Sequence, residues 1–299
     1  MKTISFLGPK GTFSEMAVLA IFPDSKRIAY STIPNTMDAV ADGEVDYAVV
    51  PLENAIEGSV NLTLDYIIHK HKLPIVGEIN VPIRQHLLVA PNHLENWSEV
   101  HVVYSHPHAI AQCYEFLRTV LPHAKIQYVN STAAAAKYVA EHPEEKVAAI
   151  ANTLSAKEYG LAIAQKDIHD YENNTTRFVI FARTENQNIG SPYYTGDKTT
   201  MMVTLPSDFS GALHQVLSAF AWRKLNLSKI ESRPMKTGLG KYFFVIDVEH
   251  RMDAVLLPGV KAELEALGCG VRFLGSYPCF SIVDEADEVE ETKKLQMKK

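Results

Sequence analysis

Cysteine is scarce in this chain: three residues in 299, an odd number with no CxxC spacing. That excludes a disulfide framework and the common structural zinc sets. The twelve histidines also lack ligand spacing, so no metal is expected. A positive excess is missing too; the formal net charge of -6 argues against a general nucleic-acid binder. No apolar run approaches the roughly 18 residues that span a bilayer. The apolar start is too short for a signal segment and is cut off by Gly8-Pro9-Lys10-Gly11. A reducing, cytoplasmic setting with no membrane or nucleic-acid partner is the expectation.

What is there is an alternation of short apolar strands and amphipathic helices. Strands are predicted over 4–7 and 47–50 and helices over 14–22 and 62–69. The alternation resumes with strands over 101–104, 126–129 and 147–150 and helices over 109–120 and 133–141. Between the two runs, residues 75–90 sit among Pro74, Pro82 and Pro91, which a helix would not tolerate. This stretch reads as an extended crossover. Two largely parallel α/β lobes follow, one about 1–78 plus 168–183 and the other about 79–167. A strand over 177–183 returns to the first lobe and leaves a cleft, a favoured ligand site.

Residues 184–198 are polar and turn-rich, as a linker should be. Residues 199–283 then follow a βαββαβ order, a ferredoxin-like unit. The tail, 284–299, is first acidic and then basic and is assigned no function.

Chemistry concentrates at the starts and ends of these elements. Thr12 and Glu15 are spaced as a capping box, behind glycines that let backbone approach an anion. Ser105-His106-Pro107-His108 and Asn130-Ser131-Thr132-Ala133 repeat the strand-to-helix arrangement. Pro51-Leu52-Glu53-Asn54 brings polar groups to the same edge, with Glu53 a candidate base. In Asn174-Thr175-Thr176-Arg177-Phe178 a hydroxyl, a guanidinium and a ring stand together where a polar loop becomes an apolar strand. That outlines a small anionic-substrate site, although ordinary turn chemistry fits the same residues. In the C-terminal unit, Glu231 and Arg233 have the charges to face an amino acid's ammonium and carboxylate, or to pair with each other.

Taken in order over nearly the whole chain, these motifs resemble the prephenate dehydratase family. The carriers are Gly8 to Glu15, Pro51 to Asn54, Ser105-His106-Pro107, Ser131-Thr132 and Asn174 to Phe178. Gly211-Ala212-Leu213-His214 and Glu231-Ser232-Arg233-Pro234 resemble the family's ACT regulatory domain. Two positions depart from the pattern: Ala55, where serine is usual, and His108, where glutamine is frequent. With no chorismate mutase segment ahead of these motifs, the monofunctional form is expected.

The resemblance implies a two-lobed, periplasmic-binding-protein-like catalytic module followed by an ACT domain. It implies conversion of prephenate to phenylpyruvate with loss of water and carbon dioxide, without metal or redox cofactor. Thr176 would be the catalytic residue. Arg177, Phe178, Asn174, Glu53, Asn54, Thr12, Ser105 and Thr132 would bind substrate. Gly211, Ala212, Leu213, His214, Glu231, Ser232, Arg233 and Pro234 would bind L-phenylalanine as effector. Pairing of ACT units implies a homodimer or homotetramer. The alternatives are arogenate as substrate, or a non-enzymatic amino-acid-sensing solute-binding protein.

Overall fold

The structure, a computed structural model, describes residues 1–185, 189–207, 210–235 and 242–282. The tail expected to carry no function, and part of the expected linker, lie outside the described residues. The chain opens with β1 (Thr3–Leu7), α1 (Phe13–Ile21), β2 (Lys26–Tyr30) and α2 (Ile33–Ala41). It continues through β3 (Tyr47–Asn54), β4 (Gly58–Ser59), α3 (Asn61–His69) and β5 (Ile75–Pro82). A second run holds β6 (His86–Val89), β7 (Val102–Ser105), α4 (Pro107–Ala111) and α5 (Tyr114–Val120). It closes with β8 (Lys125–Tyr128), α6 (Thr132–Glu141), β9 (Val147–Ala151), α7 (Thr153–Tyr159) and β10 (Ala162–Gln165). Then come β11 (Thr175–Phe181), β12 (Tyr194–Thr204), α8 (Ala212–Ala221), β13 (Leu227–Pro234), β14 (Tyr242–Val248), α9 (Leu256–Ala266) and β15 (Gly270–Ser281).

These strands form two mixed sheets. The second runs β10-β6-β9-β7-β8, with β7 parallel to both β8 and β9. The first runs β13-β14-β12-β15-β5-β11-β3-β1-β2. The α/β reading holds, but largely parallel is too strong, because β11 returns antiparallel to both β3 and β5. The stretch expected as one crossover divides between sheets, β5 in the first and β6 in the second. Two segments therefore cross between the halves, and they are stitched together. Ile83 N–H donates to the Asn174 carbonyl (2.8 Å) and Ile168 N–H to that of Gln85 (2.9 Å). The single helix expected over 109–120 is broken into α4 and α5 around buried Cys113.

The C-terminal strands lie in the order β13-β14-β12-β15, and β15 pairs in parallel with β5, so this unit prolongs the first sheet. Sequence reasoning did not anticipate that junction. Burial explains it: Phe243, Val245, Leu274 and Tyr277 pack into the same core as Leu64, Ile67, Ile75 and Phe181. The opposite face of the C-terminal sheet packs on α8 and α9 through Met201, Val203, Phe220, Ile246 and Leu257. Among the described residues no helix is long and apolar enough to cross a membrane.

The junction leaves no room at Gly275, where an added Cβ would collide with the backbone carbonyl of Ile75. Gly275→Ala should cost about 1–3 kcal/mol through overpacking. Urea unfolding followed by far-UV circular dichroism checks this, and an unchanged midpoint would contradict the close approach.

Candidate active site

Between the two halves lies a cleft of about 950 Å³, walled by the Leu7–Thr12 turn, the β3–β4 hairpin, β11 and the starts of α4 and α6. Thr176 stands in its floor, 9% exposed. Its polarity is set by a chain of amides. Asn54 Oδ1 accepts from the backbone N–H groups of Ile56 and Glu57, both at 3.0 Å, an Asx-type turn that fixes which end of the amide faces which way. Asn54 Nδ2 must then face the other side, where it donates to Thr176 Oγ1 (2.8 Å) and Asn174 Oδ1 (2.9 Å). Asn174 Nδ2 in turn donates to Gln112 Oε1 of the other half, in a buried bond of 3.1 Å. With its oxygen accepting from Asn54, the Thr176 hydroxyl has its own proton to offer to a bound group.

Strand alternation sorts the rest of the motif. Thr176 and Phe178 line the cleft, and the Phe178 ring is also core, 2% exposed. Arg177 is on the opposite face, and this corrects its expected role as a substrate clamp. Its guanidinium donates to Glu78 (2.6 Å), Asp247 (2.5 Å) and the Tyr277 phenol (3.0 Å), with Glu53 at 3.7 Å. Lys198 pairs with the other Glu78 oxygen at 2.6 Å. The Tyr277 hydroxyl donates to Thr200 Oγ1 (2.6 Å), whose own proton goes to Asp247 (2.6 Å). Two cations and two carboxylates are thus paired in a largely buried junction with the C-terminal unit. Burial lowers the Arg177 tendency to carry a proton, but Tyr277, Asp247 and Glu78 outweigh it and hold the group charged. Burial alone would raise the Asp247 carboxyl; Arg177, Thr200 and Lys198 hold it below its ordinary range.

Other expected binders divide in the same way. Thr12 and Thr132 line the cleft. The Thr12 hydroxyl is already used, donating to the Leu7 carbonyl (3.1 Å) and accepting from Glu15 N–H (3.4 Å). Glu15 closes the capping box on Gly11 N–H rather than on Thr12, at 2.7 Å. Thr132 follows Ser131, which caps α6 by accepting from Ala134 N–H at 3.0 Å. Ser105 is fully buried and donates to the Ile150 carbonyl (2.7 Å), so it holds β7 to β9 and does not reach the cleft. Asn174 is one layer behind Thr176, 2% exposed. Glu53 points away from the cleft to Lys229 at 3.0 Å, so it is not placed as a base.

The effector motif is also redistributed. Gly211 has φ +92° at the start of α8, a conformation that favours glycine, with Ala212 buried and Leu213 and His214 exposed. Glu231 accepts from the cleft residue Ser59 (2.6 Å) and pairs with Lys229 (3.1 Å). Arg233 donates to Asn61 and Asp65 of α3. Both therefore face the first half of the molecule rather than an open effector pocket, while Ser232 and Pro234 turn outward.

Sequence reasoning missed Gln112 and Gln85, both in the cleft. Gln112 follows the Ser-His-Pro-His turn by one helical turn, the only local signal for it. His108 reaches Glu57 across the cleft at 3.7 Å. Among the described residues no cluster of His, Cys, Asp or Glu is placed to hold a metal.

The arrangement is that of an α/β protein with a cleft between two halves, into which one oriented hydroxyl projects. Comparison sharpens the class. The prephenate dehydratase family model matches residues 4–186. A prephenate dehydratase of Bacillus subtilis is 55% identical over 93% of this chain and 99% of its own. A solved prephenate dehydratase from Arthrobacter aurescens, in complex with L-Phe, superposes with TM-score 0.81 at 34% identity, covering 99% of both chains. A structure described as a novel type of quorum quenching acylase also reaches TM-score 0.81, at 28% identity over 93% of this chain and 98% of its own. The chain belongs to the prephenate dehydratase family.

Removing Asp247's charge leaves Arg177 buried without a main partner, a loss of roughly 3–5 kcal/mol for such groups. Asp247→Asn should therefore unfold at lower urea. Because the folded carboxyl is held below its ordinary 3.8, its contribution is full above that pH and is lost as pH falls through the lower folded value. The gap between wild type and Asp247→Asn should be widest above pH 3.8 and close below it. A gap independent of pH would contradict the ionic account.

Proposed function

We propose that this chain is a prephenate dehydratase acting in L-phenylalanine biosynthesis, with Thr176 at the reacting end of the cleft. Prephenate loses its ring carboxylate as carbon dioxide and its ring hydroxyl as water, and the six-membered ring becomes aromatic. The electron pair of the breaking carbon–carbon bond enters the ring and expels the hydroxyl, which takes up one proton. The observation that carries this reading is the hydrogen bond from Asn54 to Thr176. It leaves the threonine proton directed at the ligand, where it stabilises charge developing on the departing oxygen. Threonine is a poor acid, so the net proton comes from solvent through the hydroxyl. Gln112, Thr132 and the start of α1 supply binding contacts, and Phe178 supports the ring.

Arg177 is not a clamp in this account; it anchors the strand that holds Thr176. The proposed division is a catalytic region over 1–183, a linker over 184–198 and an ACT-type unit over 199–283 with a ferredoxin-like fold. Support for the last comes from the β13-β14-β12-β15 order and the glycine-led α8. The L-Phe complex of the Arthrobacter relative supports phenylalanine as effector here. β13 is a sheet edge, and pairing of two such edges would give the proposed homodimer or homotetramer. A cytoplasmic location belongs to the same reading.

Phenylpyruvate formation from prephenate by the wild-type chain tests the activity, and its absence would overturn it. Thr176→Val should fold and lose about 10²–10⁴ in kcat; wild-type turnover in that variant would overturn the role of Thr176. L-phenylalanine titrated into the assay should lower activity, and no response at any concentration would remove the effector proposal.

A further inference from the structure

Behind the cleft, on the far side of Phe13, lies a second cavity of about 610 Å³ that none of the proposed chemistry uses. Phe13 lines both spaces. One wall is apolar, made by Met16, Val81 and Ile282; the other carries donors from the opposite half. Asn152 lines it and is 1% exposed. Its Oδ1 caps α7 by accepting from Ser155 N–H at 2.8 Å, which prevents the amide from turning over, and its Nδ2 has no partner. A buried donor left unpaired is unfavourable, and a bound acceptor would relieve it. Beside it, Asp167 N–H donates to His86 Nδ1 (2.9 Å), which puts the ring proton on Nε2 as a further donor. Lys166 brings a positive charge to the same lining, which also holds Asp167 and Arg84, the latter engaged with His169 at 3.2 Å.

We propose that this cavity binds a small monocarboxylate with an apolar body. The carboxylate accepts from Asn152 Nδ2 and pairs with Lys166, and the hydrocarbon packs against Met16, Val81 and Ile282. Because its walls come from both halves, the ligand bridges them behind the cleft.

Isothermal titration calorimetry on the full chain tests this, with 4-methylpentanoate as probe and 4-methylpentanamide as its neutral isostere. Asn152→Asp keeps an acceptor for the Ser155 cap while exchanging the donor for a negative charge. Wild type should bind the carboxylate saturably and at least about tenfold more tightly than the amide, with a similar loss in Asn152→Asp and Lys166→Met. Thr176→Val, altered only in the cleft, should bind as wild type does. No saturable binding, equal affinity for the amide, or undiminished binding by Asn152→Asp would each overturn the proposal. Loss of binding in Thr176→Val would place the probe in the cleft and overturn it too.

Discussion

The arrangement depends on Arg177 and the groups that surround it. A guanidinium 8% exposed would be untenable alone. It is held by Glu78 from β5, Asp247 from β14 and Tyr277 from β15, so three strands must be in place before the charge is satisfied. Replacing such a cluster by apolar side chains is often neutral or stabilising, so net stability is not its main contribution. What it fixes is register: β11 can sit between β3 and β5 in only one alignment while Arg177 reaches both carboxylates. That alignment puts Thr176 on the other face, in the cleft.

The cleft face follows from the same strand. Asn54 and Thr176 are register partners on β3 and β11, and the turn at Ile56 and Glu57 decides which end of the Asn54 amide meets the hydroxyl. Asn174 continues the chain to Gln112 in the other half. The two halves are thus tied to the Thr176 hydroxyl through Asn174 and Asn54. Ser59 supplies a second link, since it lines the cleft and donates to Glu231 in the C-terminal unit.

Much of this was legible in the residues. The α/β alternation, the returning strand and the βαββαβ order are periodicity and turn signals, and Thr176 stands where its motif put it. Arg177 was misread although strand alternation alone separates it from Thr176 and Phe178. A charged residue inside an apolar strand marks Arg177, Glu78 and Asp247 alike, but only topology brings the three together, across 70 residues for Arg177 and Asp247. The same holds for Glu231 and Arg233, whose partners Ser59 and Asp65 lie 172 and 168 residues away. Ser105 was overvalued because a hydroxyl before a helix reads as a site whether or not the next strand consumes it. Its partner, the Ile150 carbonyl, leaves no trace in the local pattern.

The central claim is that Asn54 acts through Thr176, by fixing which way its hydroxyl donates. A double-mutant cycle on kcat measures this directly, with Asn54→Ala, Thr176→Val and the pair assayed for phenylpyruvate release. If the two act as a unit, the double variant should be slower than Thr176→Val by no more than about twofold. Losses that multiply in the double variant would show independent roles and contradict the account.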